Sequence, residues 1–331
     1  MIDTTIINHD YQALTPDRVM DAVESLGYHC DARVFALNSY ENRVYQVGIE
    51  DQDPLIAKFY RPQRWSEEQI REEHQFTQAL FDLGISVVPP LQQPDGNTLA
   101  HYQGYHFSLY PRQGGHAPNL DDFDQLLSLG RALGRIHALG QTVPFQHRPT
   151  LDIHSFGEAS QQYLLEHEFI PPGLIPAYES LSRDLLASCQ QIFASVPYQP
   201  IRLHGDMHPG NILWREPVPH FVDFDDARNG PAVQDIWMLL SGEREQQTAQ
   251  LAEILDGYRE FASFNLAELG LIEALRSLRL MYYAAWLARR WSDPAFPHNF
   301  PWFNTERYWA EHILELREQL AALNEPPLTV Y

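Results

Sequence analysis

The chain has 331 residues, 44% of them hydrophobic, enough for about two domains with sizeable cores. Its formal charge is −21, from 23 lysines and arginines against 44 aspartates and glutamates. A surface that negative repels nucleic acid and anionic lipid, so neither is an expected partner, and any nucleotide site must carry its own local positive charge. Cys30 and Cys189 lie far apart; they give neither a disulfide framework nor metal-ligand spacing and fit a reducing cytoplasm. The opening MIDTTIINHDYQ has no basic segment before an apolar core, so no signal peptide is expected. No uncharged apolar run approaches the roughly 20 residues of a membrane-spanning helix.

Thr15-Pro16-Asp17 reads as a helix start, with Val19, Met20, Val23 and Leu26 on one face up to Gly27. Three strand-like runs follow, near 32–38, 42–49 and 54–60. Tyr40-Glu41-Asn42 turns between the first two, and Asp51-Gln52-Asp53-Pro54 leads into the third. Ser66 and Gln69 predict a capping box that opens a helix through Leu83. Pro89-Pro90 and Pro94-Asp95-Gly96-Asn97 are loop signals, and strands are expected near 98–102 and 104–110. Beyond Pro111-Arg112-Gln113-Gly114-Gly115, helical periods take over at 120–140, 174–195, 231–241, 245–263, 266–292 and 304–323. Only 200–224 reads as extended. A β-rich lobe over 1–111 and a helical lobe over 112–331, hinged at the glycine pair, make an α+β arrangement.

The chemistry concentrates in His204-Gly205-Asp206-Met207-His208-Pro209-Gly210-Asn211 and, soon after, Val222-Asp223-Phe224-Asp225. In order, these supply a carboxylate to receive a hydroxyl proton, then an amide oxygen and a second carboxylate to hold Mg²⁺. Taken singly, Asp206 and Asn211 are ordinary turn formers; as a set they point to phosphoryl transfer from ATP. His204 and His208 are four apart, but the surrounding glycines and proline make a loop, so helical zinc geometry does not apply. His204 is expected to fix the loop through a backbone hydrogen bond.

Lys58, in the apolar run Leu55-Ile56-Ala57-Lys58-Phe59, needs an anionic partner. It reads as a clamp on the α- and β-phosphates held by a carboxylate of the next helix, Glu73 first and Glu72 second; the bland reading is an edge-strand lysine in water. Asn38-Ser39-Tyr40-Glu41-Asn42 stands where a phosphate-covering loop belongs, yet has no glycine. Ser39 is its candidate phosphate contact, and an ordinary polar hairpin is the alternative. Phe107-Ser108-Leu109-Tyr110 ends at the hinge, and its backbone at Ser108 and Tyr110 could read an adenine edge, although a plain core strand fits equally. Asp235, near the helix start at Pro231, is a candidate acceptor for catalytic-loop amides. Arg289-Arg290 with Trp286, Trp291, Trp302 and Trp309 could line an acceptor site, as an aromatic cage for a cationic acceptor or simply as a solvated helix end.

These motifs resemble the aminoglycoside phosphotransferase/choline kinase-like family, whose fold is protein-kinase-like. The 204–211 loop is similar to that family's catalytic loop, Asp223-Phe224-Asp225 to the kinase DFG segment, and Leu129-Gly130-Arg131-Ala132-Leu133-Gly134-Arg135-Ile136-His137 to the helix before the loop. A narrower likeness, to bacterial serine/threonine protein kinases of that family, rests on 37–46, Lys58-Phe59-Tyr60-Arg61-Pro62 and 221–231, and extends from about residue 10 to 320. It implies ATP and Mg²⁺, Asp206 as proton acceptor, Asn211 and Asp223 as metal ligands with Asp223 also catalytic, and Ser39 near ATP. It further implies serine/threonine protein substrates, autophosphorylation, a role in stress survival and a cytoplasmic location; separately from the resemblance, a monomer is expected. Small-molecule kinases for amino alcohols, sugars or choline-like acceptors share the same motifs and remain the alternative. Gly205 replaces the arginine of the kinase His-Arg-Asp loop, and the stretch from Asp223 to Pro231 is short, leaving little room for a phosphorylatable switch.

Overall fold

A computed structural model of the chain describes residues 11–330 apart from Glu216. The N-terminal segment in which no signal peptide is expected lies largely outside the described residues. In chain order the elements are α1 (Pro16–Glu24), β1 (Cys30–Ala36), β2 (Arg43–Ile49), β3 (Leu55–Phe59), α2 (Glu67–Asp82), β4 (Ala100–Tyr102), β5 (Tyr105–Pro111), α3 (Phe123–Gly140), α4 (Ala159–Glu166), α5 (Ile175–Ser195), β6 (Ile201–Leu203), β7 (Ile212–Arg215), β8 (Val218–Phe221), β9 (Arg228–Gly230), α6 (Val233–Trp237), α7 (Arg244–Arg259), α8 (Ile272–Arg289), α9 (Ala295–Asn299) and α10 (Glu306–Ala322). The fold is α+β, with an antiparallel sheet first and a larger helical part after it. No helix among the described residues is long and apolar enough to cross a membrane.

Two compact units form, one from residues up to His116 together with Leu213–Asp225, the other from Ala117–Ile212 and Asp226 onward. In the first, the sheet runs β1-β2-β3-β5-β4. Alternation along β3 sends Ala57 and Phe59 to one face, where they join Val47, Ile49, Phe107 and Leu109 beneath Val19, Ala22 and Val23 of α1. Phe59 stacks on Phe107 at 5.1 Å, and each fully buried ring adds about 1.5–3 kcal/mol. Thr15 caps α1, and Ser66 with Gln69 forms the capping box of α2, as the sequence predicts. The β7–β8 hairpin returns to this unit: Trp214 exchanges backbone hydrogen bonds with His116, and Phe221 N–H donates to Ser86 O. That return delivers Asp223.

In the second unit α3 and α7 pack on a glycine seam. A Cβ on Gly130 would lie 2.0 Å from Ile254 O, one on Gly134 2.5 Å from Tyr258 O, and one on Gly257 2.1 Å from Leu127 O. Only glycine lets the two backbones approach this closely. The expected helix 266–292 is interrupted: a 3-10 turn covers Leu266–Leu271, capped by Asn265, before α8 begins. The sequence reading also misses α4, α9 and a π-helical turn at His154–Glu158, because these segments are short and weakly periodic.

His312 of α10 illustrates what this core demands. Its ring stacks on Tyr178 and Tyr308, and its Nε2 has no hydrogen-bond partner among the described residues. Burial pushes its pKa down to about 4. The folded state therefore keeps the ring neutral where the unfolded chain would protonate it, and stability falls as the pH drops from the ordinary histidine value toward 4. The loss is about 3 kcal/mol in all. Urea unfolding of wild type and His312→Phe at pH 7.5 and pH 5 should show a flatter pH dependence in the variant; equal slopes would refute this.

Candidate active site

Lys58 leaves β3 on the sheet face opposite Ala57 and Phe59. Its side chain is 8% exposed, and Nζ lies 2.8 Å from Asp223 Oδ1 and 3.3 Å from Asp225 Oδ1. A buried ammonium persists only when paired. Burial pulls its pKa down, but Asp223, Asp225, Tyr60 and Glu73 outweigh that and hold it well above the ordinary lysine value. Of the two α2 candidates Glu73 is buried and Glu72 half-buried. Glu73 acts on Lys58 at longer range, while the aspartates take the direct places. Backbone geometry explains this: Asp223 sits at φ 60°, a left-handed conformation that aspartate tolerates better than most residues, and Phe224 beside it anchors edge-on against Phe76 of α2.

The charges continue beyond Lys58. Asp225, buried, also pairs with Arg64; Arg64 reaches Glu41 at 3.6 Å; and Glu41 pairs with Arg61 at 3.0 Å. The result is an alternating ladder, Asp223–Lys58–Asp225–Arg64–Glu41–Arg61, in which each charge faces its opposite. Its far end wraps the glycine-free turn. Arg61 donates to Glu41 O and Tyr40 O, Arg43 to Tyr40 O, and the buried Asn42 accepts from Arg61 N. Side chains thus immobilise a turn that glycine-rich loops shape by backbone alone. Ser39 lies half-buried within it, its hydroxyl without a partner among the described residues.

Ser108 faces Lys58 across the β3–β5 pair and is buried. Tyr110 turns its phenol inward, 3.0 Å from the Tyr60 hydroxyl, and His74 links Tyr60 to Thr98. The Leu109 carbonyl between them already accepts from Leu91 N at 2.7 Å. The side chains of Ser108 and Tyr110 therefore serve the interior of the first unit.

In the second unit the 204–211 loop is built on its own hydrogen bonds. His204 Nδ1 accepts from Asp206 N, and His208 Nδ1 accepts from Gly210 N, so both imidazoles are used as loop braces. Asn211 Nδ2 donates to Asp206 O at 2.9 Å and lies 3.5 Å from Asp206 Oδ2. Its Oδ1 has no hydrogen bond among the described residues. Beneath the loop, Asp235 is fully buried and accepts from His204 N and Gly205 N at 2.8 Å each and from His137 at 3.2 Å. Burial would raise its pKa, but the His137 hydrogen bond and charge, with His204 and the Gly205 amide, hold it below the ordinary carboxylate value. Gly205 has φ +84°, and a Cβ there would sit 2.2 Å from Asp226 O. No larger residue fits where protein kinases place arginine. The short segment after Asp226 is stitched down: β9 pairs with β6, and Asn229 exchanges hydrogen bonds with Phe145.

A model of the phosphotransferase enzyme family matches residues 33–272. The chain belongs to this family. Over 318 residues, 96% of each chain, it is 46% identical to stress response kinase A of Escherichia coli (strain K12) and, at the same identity and coverage, to a protein named serine/threonine protein kinase RdoA of Salmonella typhimurium (strain LT2). Among solved structures it resembles an amicoumacin kinase, with 19% identity, a TM-score of 0.71 and 92% of each chain covered. The chain is a kinase.

Within this phosphotransferase frame, several residues carry the site without having been expected to. Asp225 and Arg64 are invisible as a pair because 161 positions separate them; the repeated aspartate of Asp223-Phe224-Asp225 is the one available signal. Arg279 of α8 reaches Asp206 Oδ1 at 2.7 Å, an ion pair without hydrogen-bond alignment, and nothing in local spacing announces it. Of the four tryptophans suggested as an aromatic cage, Trp309 is corrected: it is fully buried against Tyr178 because α10 uses it as core, whereas Trp291, half-buried, packs on Phe303 and Trp302 is exposed. Arg289 donates to Ala159 O, so it serves the packing of α4.

Proposed function

We propose that this kinase is an ATP- and Mg²⁺-dependent serine/threonine protein kinase that also phosphorylates itself, acts in the cytoplasm on protein substrates and serves survival under stress. The observation that carries this reading is near-full-length likeness to relatives named as a stress response kinase and a serine/threonine protein kinase. A kinase of the same fold has been solved with AMP-PNP and Ca²⁺, which supports nucleotide and divalent-ion use here. The metal fits the donors present. Asn211 Oδ1 and the second oxygen of Asp223, a side chain 49% exposed, are hard oxygens without partners among the described residues, the kind Mg²⁺ takes alongside water and phosphate. These two residues would hold it, and bound there it would neutralise developing phosphate charge.

The remaining roles belong to the protein. Lys58, kept charged by its aspartates, binds phosphate oxygens, and Ser39 offers its hydroxyl to another. Asp206 orients the acceptor hydroxyl and takes its proton as the new bond to the γ-phosphorus forms and the bond to the bridging oxygen breaks, releasing ADP. Asp235 and His137 hold the loop that carries Asp206.

Incubation with γ-labelled ATP, a casein-like protein and ethanolamine separates the readings. Label on the protein and on the enzyme itself is expected. Label confined to the small alcohol would reject the protein-kinase reading and favour an amino-alcohol kinase.

A further inference from the structure

The second unit places an arginine beside its proposed base, in a chain with a formal charge of −21. Along α8, Arg276, Arg279, Tyr283 and Trp286 recur at intervals of three and four, so they share one helix face, and Arg290 follows in the same rhythm. All five are at least partly exposed, whereas Leu275, Leu278, Met281, Ala284 and Leu287 between them are buried. Arg279, 37% exposed, ties this stripe to the chemistry through its 2.7 Å ion pair with Asp206.

The other members are arranged as a platform. Tyr283 and Trp286 stack at 5.7 Å, Arg290 lies over the Trp286 ring at 5.3 Å, and Arg276 lies over Trp237 at 5.5 Å. Arg276 is already paired with Glu273 at 3.0 Å. Arg279 has no carboxylate other than Asp206 among the described residues. A guanidinium has five donors in one plane and matches carboxylate oxygens bidentately. With one edge toward Asp206, Arg279 has others to give to an acceptor arriving at the same carboxylate. A cationic acceptor would meet like charge there, which is unfavourable.

We propose that this α8 face selects acidic polypeptide segments: Arg279 pairs with a carboxylate adjacent to the accepting serine or threonine, and the Tyr283–Trp286 platform supports the neighbouring residues. The assignment rests on the protein-kinase reading given above and narrows its substrate class.

Two synthetic peptides of equal length with one central serine, flanked by glutamates in one and by lysines in the other, test it with the full chain and ATP. The wild-type enzyme should prefer the acidic peptide at least about tenfold in kcat/KM, a comparison that needs no variant. Arg279→Gln should remove most of that preference, chiefly through KM, because a charge-assisted hydrogen bond is lost. Arg279→Lys should restore part of it, and Arg279→Glu should turn it toward the lysine-flanked peptide. Equal use of both peptides by wild type, or preference for the basic one, overturns the proposal while leaving the protein-kinase reading intact. A fall in kcat that is the same for both peptides in Arg279→Gln, with KM unmoved, also overturns it and makes Arg279 a positioning residue for Asp206. Label on ethanolamine with none on either peptide removes the protein-kinase reading itself.

Discussion

Asp206→Asn should lower phosphoryl transfer by about 10²–10⁴-fold, the span of general-base contributions, while nucleotide affinity changes little. The amide is nearly isosteric with the carboxylate, so the loop survives: the 2.9 Å bond from Asn211 goes to the Asp206 backbone carbonyl, which the substitution leaves in place. What disappears is the basic oxygen that accepts a proton, together with the charge facing Arg279. Single-turnover transfer from γ-labelled ATP reads the first quantity, and calorimetric titration with a non-hydrolysable analogue reads the second. Equal transfer by wild type and variant would remove Asp206 from the chemistry and leave a nucleotide-binding scaffold.

Asp235→Ala should destabilise the protein by about 3–5 kcal/mol, the range for breaking a buried charged network by removing one partner. Three donors lose their acceptor at once: the amides of His204 and Gly205 and the ring of His137. Each buried unsatisfied group costs about 1–3 kcal/mol, which makes the estimate a substantial share of a typical total stability of about 5–15 kcal/mol. Asp235→Asn keeps one acceptor oxygen and should lose less. The pH sense follows from the depressed folded-state pKa of Asp235. Its stabilisation is complete above the ordinary carboxylate value of about 4 and is lost as the pH falls through the lower folded value. Denaturant unfolding at neutral pH checks the size; a change below about 1 kcal/mol in Asp235→Ala would show that the loop does not depend on this buried acceptor.

The parts of this molecule that the sequence discloses are those in which chemistry and spacing coincide. Asp206 and Asn211 are five apart because a single loop must present both, and Lys58 stands out because a lysine among Leu55, Ile56, Ala57 and Phe59 demands an explanation. Capping signals worked for the same reason: Ser66 and Gln69 interact within one turn. What stayed hidden depends on contacts between distant segments. Nothing in the local sequence around Arg64 or Glu41 announces the ladder that joins them to Asp225. Arg279 lies 73 positions beyond Asp206, and only the path of α8 brings it near. Asp235 was legible as a candidate acceptor for loop amides, yet its support by His137 and, behind that, Tyr258 was not. The tryptophans misled because composition cannot separate a ring lining a site from one filling a core, and α10 uses Trp309 for the latter.

The glycine seam has an implication for how variants of this protein should be interpreted. Gly130, Gly134 and Gly257 touch no reacting group, so a catalogue of ligand contacts would class them as neutral. One added carbon at Gly134 would press on the carbonyl of Tyr258, the residue whose hydroxyl steadies His137 at 3.0 Å. The disturbance would then pass from His137 to Asp235 and so to the two loop amides. Inherited defects in such a protein can therefore originate in a helix crossing, and an alanine scan restricted to the candidate catalytic and binding residues would never find them.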